Sequence, residues 1–243
     1  MSLFSGKRIY LDYASATPMR PEAQKAMLAA EQFSGNPGAI HAEGVAAARS
    51  LAHSRERIAR LLACKPREVL FTSGLTESNN LAILGVAQAL DRAGKNLSET
   101  HWVVSGIEHP SVLECFAEIE RLGGAVTHVD PEQNGVIAPE KVARALRKET
   151  VLVSIGWGNS EIGTMQPLAD ISRIIRAHAK EHGTNVLFHS DAGQAPLYRA
   201  PVVHTLGVDL FSLGSGKLYG PRGVGALYIG SHAEINGIIF GGA

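Results

Sequence analysis

The chain has 243 residues, 45 % of them apolar, and its 23 basic side chains balance its 23 acidic ones. That length can bury a sizeable core as one large domain or one and a half. With no basic block and only 6 % aromatic residues, the composition argues against a nucleic-acid groove or an anionic membrane surface and for a small partner. The chain has two cysteines, no basic-plus-apolar leader, and no apolar run near the 18 or so residues of a membrane span, so a soluble protein of a reducing compartment, the cytoplasm, is expected.

A long amphipathic helix near Ala42–Ala63 precedes a series of short, apolar, β-branched runs bounded by Gly, Pro, Asp or Ser. These runs are Val69–Thr72, Trp102–Ser105, Ala125–Val129, Val151–Ile155, Val186–His189, Leu210–Leu213 and Gly225–Ile229, and they read as buried strands. Helical patterns over Glu77–Ala93, Ser111–Leu122, Pro139–Leu146 and Leu168–His182 separate most of them. The plan is α/β, a mostly parallel sheet between helices, and no repeat or low-complexity linker interrupts it. Ligands of such sheets sit beyond the carboxyl ends of the strands.

After the first strand, Ser73-Gly74-Leu75-Thr76-Glu77-Ser78 is a glycine turn entering a helix, either an anion cradle of free N–H groups and the Thr76 hydroxyl or an ordinary cap made by Ser73 or Thr76. After the second, Glu108-His109-Pro110 offers a ring for stacking or proton transfer, or a capping histidine. After the strand at Val186–His189, Asp191 and Gln194 supply a carboxylate and an amide, suited to a pyridine nitrogen and a phenolate-like oxygen; a helix cap or a metal ligand is the alternative for Asp191.

The stretch Phe211 to Ile229, FSLGSGKLYGPRGVGALYI, sets Lys217 among glycines between two strand-like runs. Nothing bulky separates its ammonium from a bound carbonyl compound, which suits a Schiff-base lysine as against a surface lysine in a glycine turn. A P-loop fails at Phe211 and Leu218, and a dinucleotide fingerprint fails at Tyr219. His178 and His182 share one helix face without an evident third ligand, and Cys64 and Cys115 read as packing residues, so no metal site is expected. Anion cradle, ring, carboxylate and lysine, in that order, are the parts of a pyridoxal phosphate site.

These residues resemble the class V aminotransferases of fold type I, specifically cysteine desulfurases of the iron–sulfur assembly type. The resemblance runs through Tyr10-Leu11-Asp12-Tyr13 with Ala16-Thr17-Pro18, Gly35-Asn36-Pro37 with His41, Phe71 to Ser78, Glu108-His109, Glu161-Ile162-Gly163, Asp191 with Gln194, and Lys217 with Tyr219-Gly220-Pro221. It implies pyridoxal 5'-phosphate held on Lys217 as a Schiff base. Asp191 then pairs with the ring nitrogen, Gln194 bonds the ring oxygen, His109 stacks and moves protons, and Leu75 and Thr76 hold the phosphate. It also implies cysteine as substrate, converted to alanine with its sulfur passed to a persulfide, a homodimer, and a sulfur-acceptor protein. Selenocysteine lyases and other class V aminotransferases share every one of these motifs, and a non-catalytic cofactor-binding or dimerisation scaffold is the reading from another class.

The resemblance divides the chain into an N-terminal arm, residues 1–18, and a cofactor-binding large domain, residues 19–243, and places the C-terminal small domain, with its sulfur-accepting cysteine and substrate-binding arginine, beyond the chain. Apolar surface left bare by that domain is expected to make the isolated chain poorly soluble. Three substitutions stand inside the pocket. Gly214-Ser215-Gly216-Lys217 replaces Ser-Gly-His-Lys, Ser160 replaces an asparagine beside the ring oxygen, and Leu75 replaces alanine. Each lost charge-assisted bond is worth about 1.5–3 kcal/mol, roughly ten- to a hundredfold in affinity, unless Ser215 compensates from one position away.

Overall fold

A computed structural model of the chain describes residues 8–241; the first seven residues of the expected N-terminal arm and the last two of the chain lie outside that range. Seven strands form one sheet: β1 (Val69–Thr72), β2 (His101–Ser105), β3 (Ala125–Val129), β4 (Thr150–Ser154), β5 (Leu187–Asp191), β6 (Leu210–Gly214) and β7 (Gly225–Ile229). Their order across the sheet is β1-β7-β6-β5-β4-β2-β3, and β7 alone runs antiparallel to its neighbours. The helices are α1 (Pro21–Ala30), α2 (Ala42–Leu62), α3 (Leu75–Arg92), α4 (Pro110–Arg121), α5 (Pro139–Ala145), α6 (Leu168–His182) and the single turn α7 (Val203–Leu206).

Both faces of the central strands are covered, which is why they read as continuous apolar runs rather than alternating ones. Side chains nevertheless divide with the strand's period of two. Val103, Val153, Phe188 and Phe211 pack with Leu62 of α2, Val142 of α5 and Ile171 and Ile175 of α6. Trp102, Leu152, Leu187 and Leu210 pack on the other face with Ile83 of α3 and Phe116 and Ile119 of α4. The result is the three-layer α/β plan.

Several element limits shift by one or two residues from the sequence expectation; two of these shifts bear on the site, and one helix was not expected. Strand β5 continues through Asp191, which pairs with Ser212 of β6, so Asp191 ends the strand instead of following it. Helix α3 begins at Leu75, two residues early, because Gly74 is its N-cap and no side chain caps it, neither Ser73 nor Thr76. Helix α1 escaped the reading: it buries no side chain, and its start at Pro21 carries the only strong local signal.

One buried charge ties the sheet's other end. Asp209, just before β6, accepts from Arg176 of α6 and from His232 at 2.6 Å each and from the Phe188 N–H of β5 at 2.7 Å. Arg176 also donates to the carbonyls of Val186 and Gly207. Removing one partner leaves a buried carboxylate undercompensated. Arg176→Met is therefore expected to lower unfolding free energy by about 3 kcal/mol, read from urea denaturation beside the parent chain.

Candidate active site

Four loops leave the carboxyl edge of the parallel strands and converge on a cleft of about 280 Å³. It is lined by His109, Ser160, Asp191, Gln194 and Lys217, together with Glu108. Gly193 marks where they meet. A Cβ there would lie 2.7 Å from Leu75 Cδ1, 3.2 Å from Asp191 Oδ1 and 3.5 Å from Lys217 Cδ, so only glycine lets the lysine stem, the carboxylate and the helix start close on one another.

Asp191 is oriented by two donors. Its Oδ1 accepts the Gly193 N–H at 2.8 Å and its Oδ2 accepts Asn79 Nδ2 at 2.7 Å. No cation forms an ion pair with it among the described residues. Glu108, also in the cleft, accepts from the Ser105 hydroxyl at 2.6 Å and the Gly156 N–H at 2.8 Å. Burial pushes its carboxyl up to about 7; the two hydrogen bonds oppose that rise and the nearby Asp191 adds to it.

The lysine loop is fastened from the opposite end of the sequence. Thr17 is buried, its N–H and hydroxyl donate to the Gly216 carbonyl at 3.0 and 3.2 Å, and its hydroxyl accepts the Tyr219 N–H at 2.8 Å. The Arg20 guanidinium lies 4.8 Å from the centre of the Tyr219 ring, and Tyr219 itself has a positive φ of 59°. These contacts hold Lys217 between the two strands β6 and β7 with no side-chain bond of its own.

A family model for class V aminotransferases matches residues 9–243. The chain belongs to the class V aminotransferase family. It is 43 % identical to cysteine desulfurase IscS of Dictyoglomus turgidum over 98 % of this chain and 58 % of that protein, and 41 % identical to IscS of Acinetobacter baumannii (strain AYE) over 91 % and 53 %. Among solved structures, a NifS-like protein superposes with a TM-score of 0.90 at 32 % identity, covering 97 % of this chain and 62 % of that one. SspA in complex with cysteine superposes at 0.86 with 37 % identity, covering 96 % and 65 %. The chain thus spans a little over half the length of the curated relatives it matches, and its fold is that of the fold type I transferases.

Class V aminotransferases use pyridoxal phosphate, and the residues present fit it. Among the described residues, a carboxylate without a cationic partner suits a protonated ring nitrogen, and Lys217, without a side-chain hydrogen bond to them, lines the same cleft. Helix α3 opens on Gly74 with its first N–H groups uncapped, a ready acceptor of a phosphate. Other expected contacts are directed elsewhere. The Ser215 hydroxyl donates to the carbonyls of Pro221 and Val224 and does not line the cleft. Gln194 lines the cleft, yet its amide donates to the Ala14 carbonyl at 2.6 Å. Leu75 and Thr76 stand at the helix start, next to the cleft rather than in its lining.

Cys64 and Cys115 lie away from the cleft, and burial raises their thiols to about 11 and about 12. His178 stacks on His182 at 4.2 Å and bonds the Arg147 carbonyl, an arrangement that spends the pair on helix-end packing. Two contributors, Asn79 and Thr17, were not anticipated as site residues. Asn79 meets Asp191 across 112 positions of sequence, and no local pattern carries that information.

Thr17→Val keeps the shape but strands the Tyr219 N–H, and is expected to cost about 1–3 kcal/mol, with faster amide exchange at Gly216 and Tyr219 as the direct readout. Glu108 has a folded value raised above its ordinary 4.5, so the stability it contributes is complete below that value and is lost as pH rises through about 7. Glu108→Gln is expected to flatten the melting temperature profile across that window, measured beside the parent chain in matched buffers.

Proposed function

We propose that this chain forms the cofactor-binding part of a pyridoxal phosphate-dependent cysteine desulfurase, taking L-cysteine to L-alanine and passing one sulfur to a thiol, which becomes a persulfide. The observation that carries this is the meeting of Asp191 and Lys217 around Gly193 in a cleft also lined by His109. The names of the most similar relatives and the cysteine bound by SspA supply the substrate. Bound there, the cofactor supplies an electron sink for the substrate's α-carbon.

The chain's own residues supply the frame. Lys217 offers the amine that binds a carbonyl, and Asp191 orients and balances a cationic ring nitrogen. The α3 N-terminus would take the phosphate, and His109, which lines the cleft, would bring its imidazole to the bound group. Ser160 lines the same cleft and would offer it a hydroxyl. With Cys64 half-buried and Cys115 buried, both away from the cleft, the described residues bind and move protons, and the attacking thiolate comes from elsewhere.

A second copy is the natural partner. Ile9, Leu11, Ile40, Ile239 and Phe240 are each more than 70 % exposed, a large apolar load for a free surface. We infer self-association, and a sulfur-acceptor protein as the downstream partner, in the cytoplasm, where the free thiols of Cys64 and Cys115 remain reduced. Sedimentation of the purified chain tests the first: a single monodisperse monomer at micromolar concentration contradicts it.

The central reading is tested by adding pyridoxal phosphate to the purified chain and recording its visible spectrum before and after borohydride, beside Lys217→Ala. A lysine-dependent band, fixed by borohydride on Lys217, is the expected result. Identical spectra for the two proteins would remove the cofactor site and favour a scaffold, in which the diverted Ser215 hydroxyl is one symptom.

A further inference from the structure

Behind the cleft a chain of hydrogen bonds joins Asp191 to His109 through Asn79 and Ser111. Asn79 is fully buried on α3 and its Nδ2 donates both to Asp191 Oδ2 at 2.7 Å and to Ser111 Oγ at 2.9 Å. Its Oδ1 has no partner. Turning the amide over would set that oxygen against the Asp191 carboxylate, so the carboxylate fixes which way the amide faces. Ser111 Oγ, which accepts from Asn79, lies 2.8 Å from His109 Nδ1.

The same nitrogen also receives the Ser111 backbone N–H at 3.1 Å, which is possible because His109 is the N-cap of α4 and Pro110 holds the first turn. A backbone N–H can only donate. Nδ1 is therefore an acceptor, the Ser111 hydroxyl is the donor in the contact it shares with that nitrogen, and the proton of the neutral ring belongs on Nε2 of a histidine that lines the cleft. We propose that Asn79 and Ser111 are positioning residues that hold His109 as its Nε2–H tautomer, so that the ring meets its ligand as a hydrogen-bond donor and not as a free base.

This deepens the cofactor-site reading and rests on it only for the ligand's identity. The donor face suits a ligand atom with a lone pair, such as a ring oxygen or a substrate carboxylate. A proton taken from the substrate's α-carbon then goes to another acceptor, and Lys217 is the amine that shares the cleft. Asp191 and His109, two residues that would meet the bound group, are thus set by one network, and a change at Asp191 reaches His109 without touching it.

The test needs no cofactor. Long-range proton–nitrogen spectra of the 15N-labelled chain, recorded at a pH where the imidazole is neutral and assigned with His109→Gln, report the tautomer of His109 directly. A pyrrole-type Nε2 and a pyridine-type Nδ1 are expected. Asn79→Ala, which does not touch the ring, is expected to shift the Nδ1 resonance. Ser111→Ala should shift it further, and Ser111→Thr, which keeps the hydroxyl, should restore it. A proton found on Nδ1, the mixture seen in free histidine, or an Nδ1 signal indifferent to Asn79→Ala overturns the proposal. If Asn79→Ala does not fold, the tautomer of the parent chain and the Ser111 pair still decide it. Failure to bind pyridoxal phosphate would remove the functional reading and leave this measurement standing.

Discussion

The site is organised around a carboxylate held without a cation. Asp191 ends a strand covered on both faces, and its two oxygens are met by the Gly193 N–H and by Asn79. An anion so placed demands oriented dipoles around it, and supplying them restricts its neighbours. Residue 193 has to be glycine to let the carboxylate, Leu75 and the Lys217 stem approach, and Asn79 must face its amide nitrogen toward the strand end. Glu108, close enough to feel Asp191, is held in a setting where its own charge is disfavoured. A second anion there would compete for the same cationic ligand group. A carboxyl that readily stays protonated avoids that competition.

The second organising element is the reach of the N-terminal segment. A lysine in a glycine-rich loop is free to turn away from its target, and loop glycines make that freedom larger. The bonds from Thr17 to Gly216 and Tyr219, with the Arg20 N–H on the Tyr219 carbonyl, remove it by joining residues some 200 positions apart. Gln194 reaches Ala14 in the same way. Residues 14–20 therefore serve the cleft as a strap over its lysine, whatever else the arm touches.

The sheet was legible because its strands are short, apolar and bounded by turn residues, and β1, β3 and β7 match their sequence limits to the residue. Asp191, His109 and Lys217 were legible as chemistry because each follows or ends a strand at the edge where α/β sheets gather ligands. What stayed hidden is relational. Asn79 reads as one polar residue among several on a helix, and only its position opposite Asp191 and Ser111 gives it meaning. Glu108 was visible beside His109, but its raised proton affinity comes from burial, which no spacing displays. Helix α1 buries no side chain, so its sequence carries none of the apolar periodicity on which helix recognition rests.

The substitutions in the lysine loop have a structural logic of their own. Ser215 spends its hydroxyl on the Pro221 and Val224 carbonyls, and its Cβ would stand 2.8 Å from any side chain added at Gly220, so the loop is drawn tight around it. Leu75 fills the space above Gly193 and Gly214, where an added Cβ would meet it at 2.7 Å in either case. Apolar bulk and backbone closure thus occupy ground where polar side chains could otherwise reach a phosphate. The first N–H groups of α3 remain uncapped by any side chain, and no substitution other than proline would remove them. A cradle built of backbone tolerates the loss of side-chain donors, because its dipoles are fixed by the helix and not by the identity of the residues that carry them.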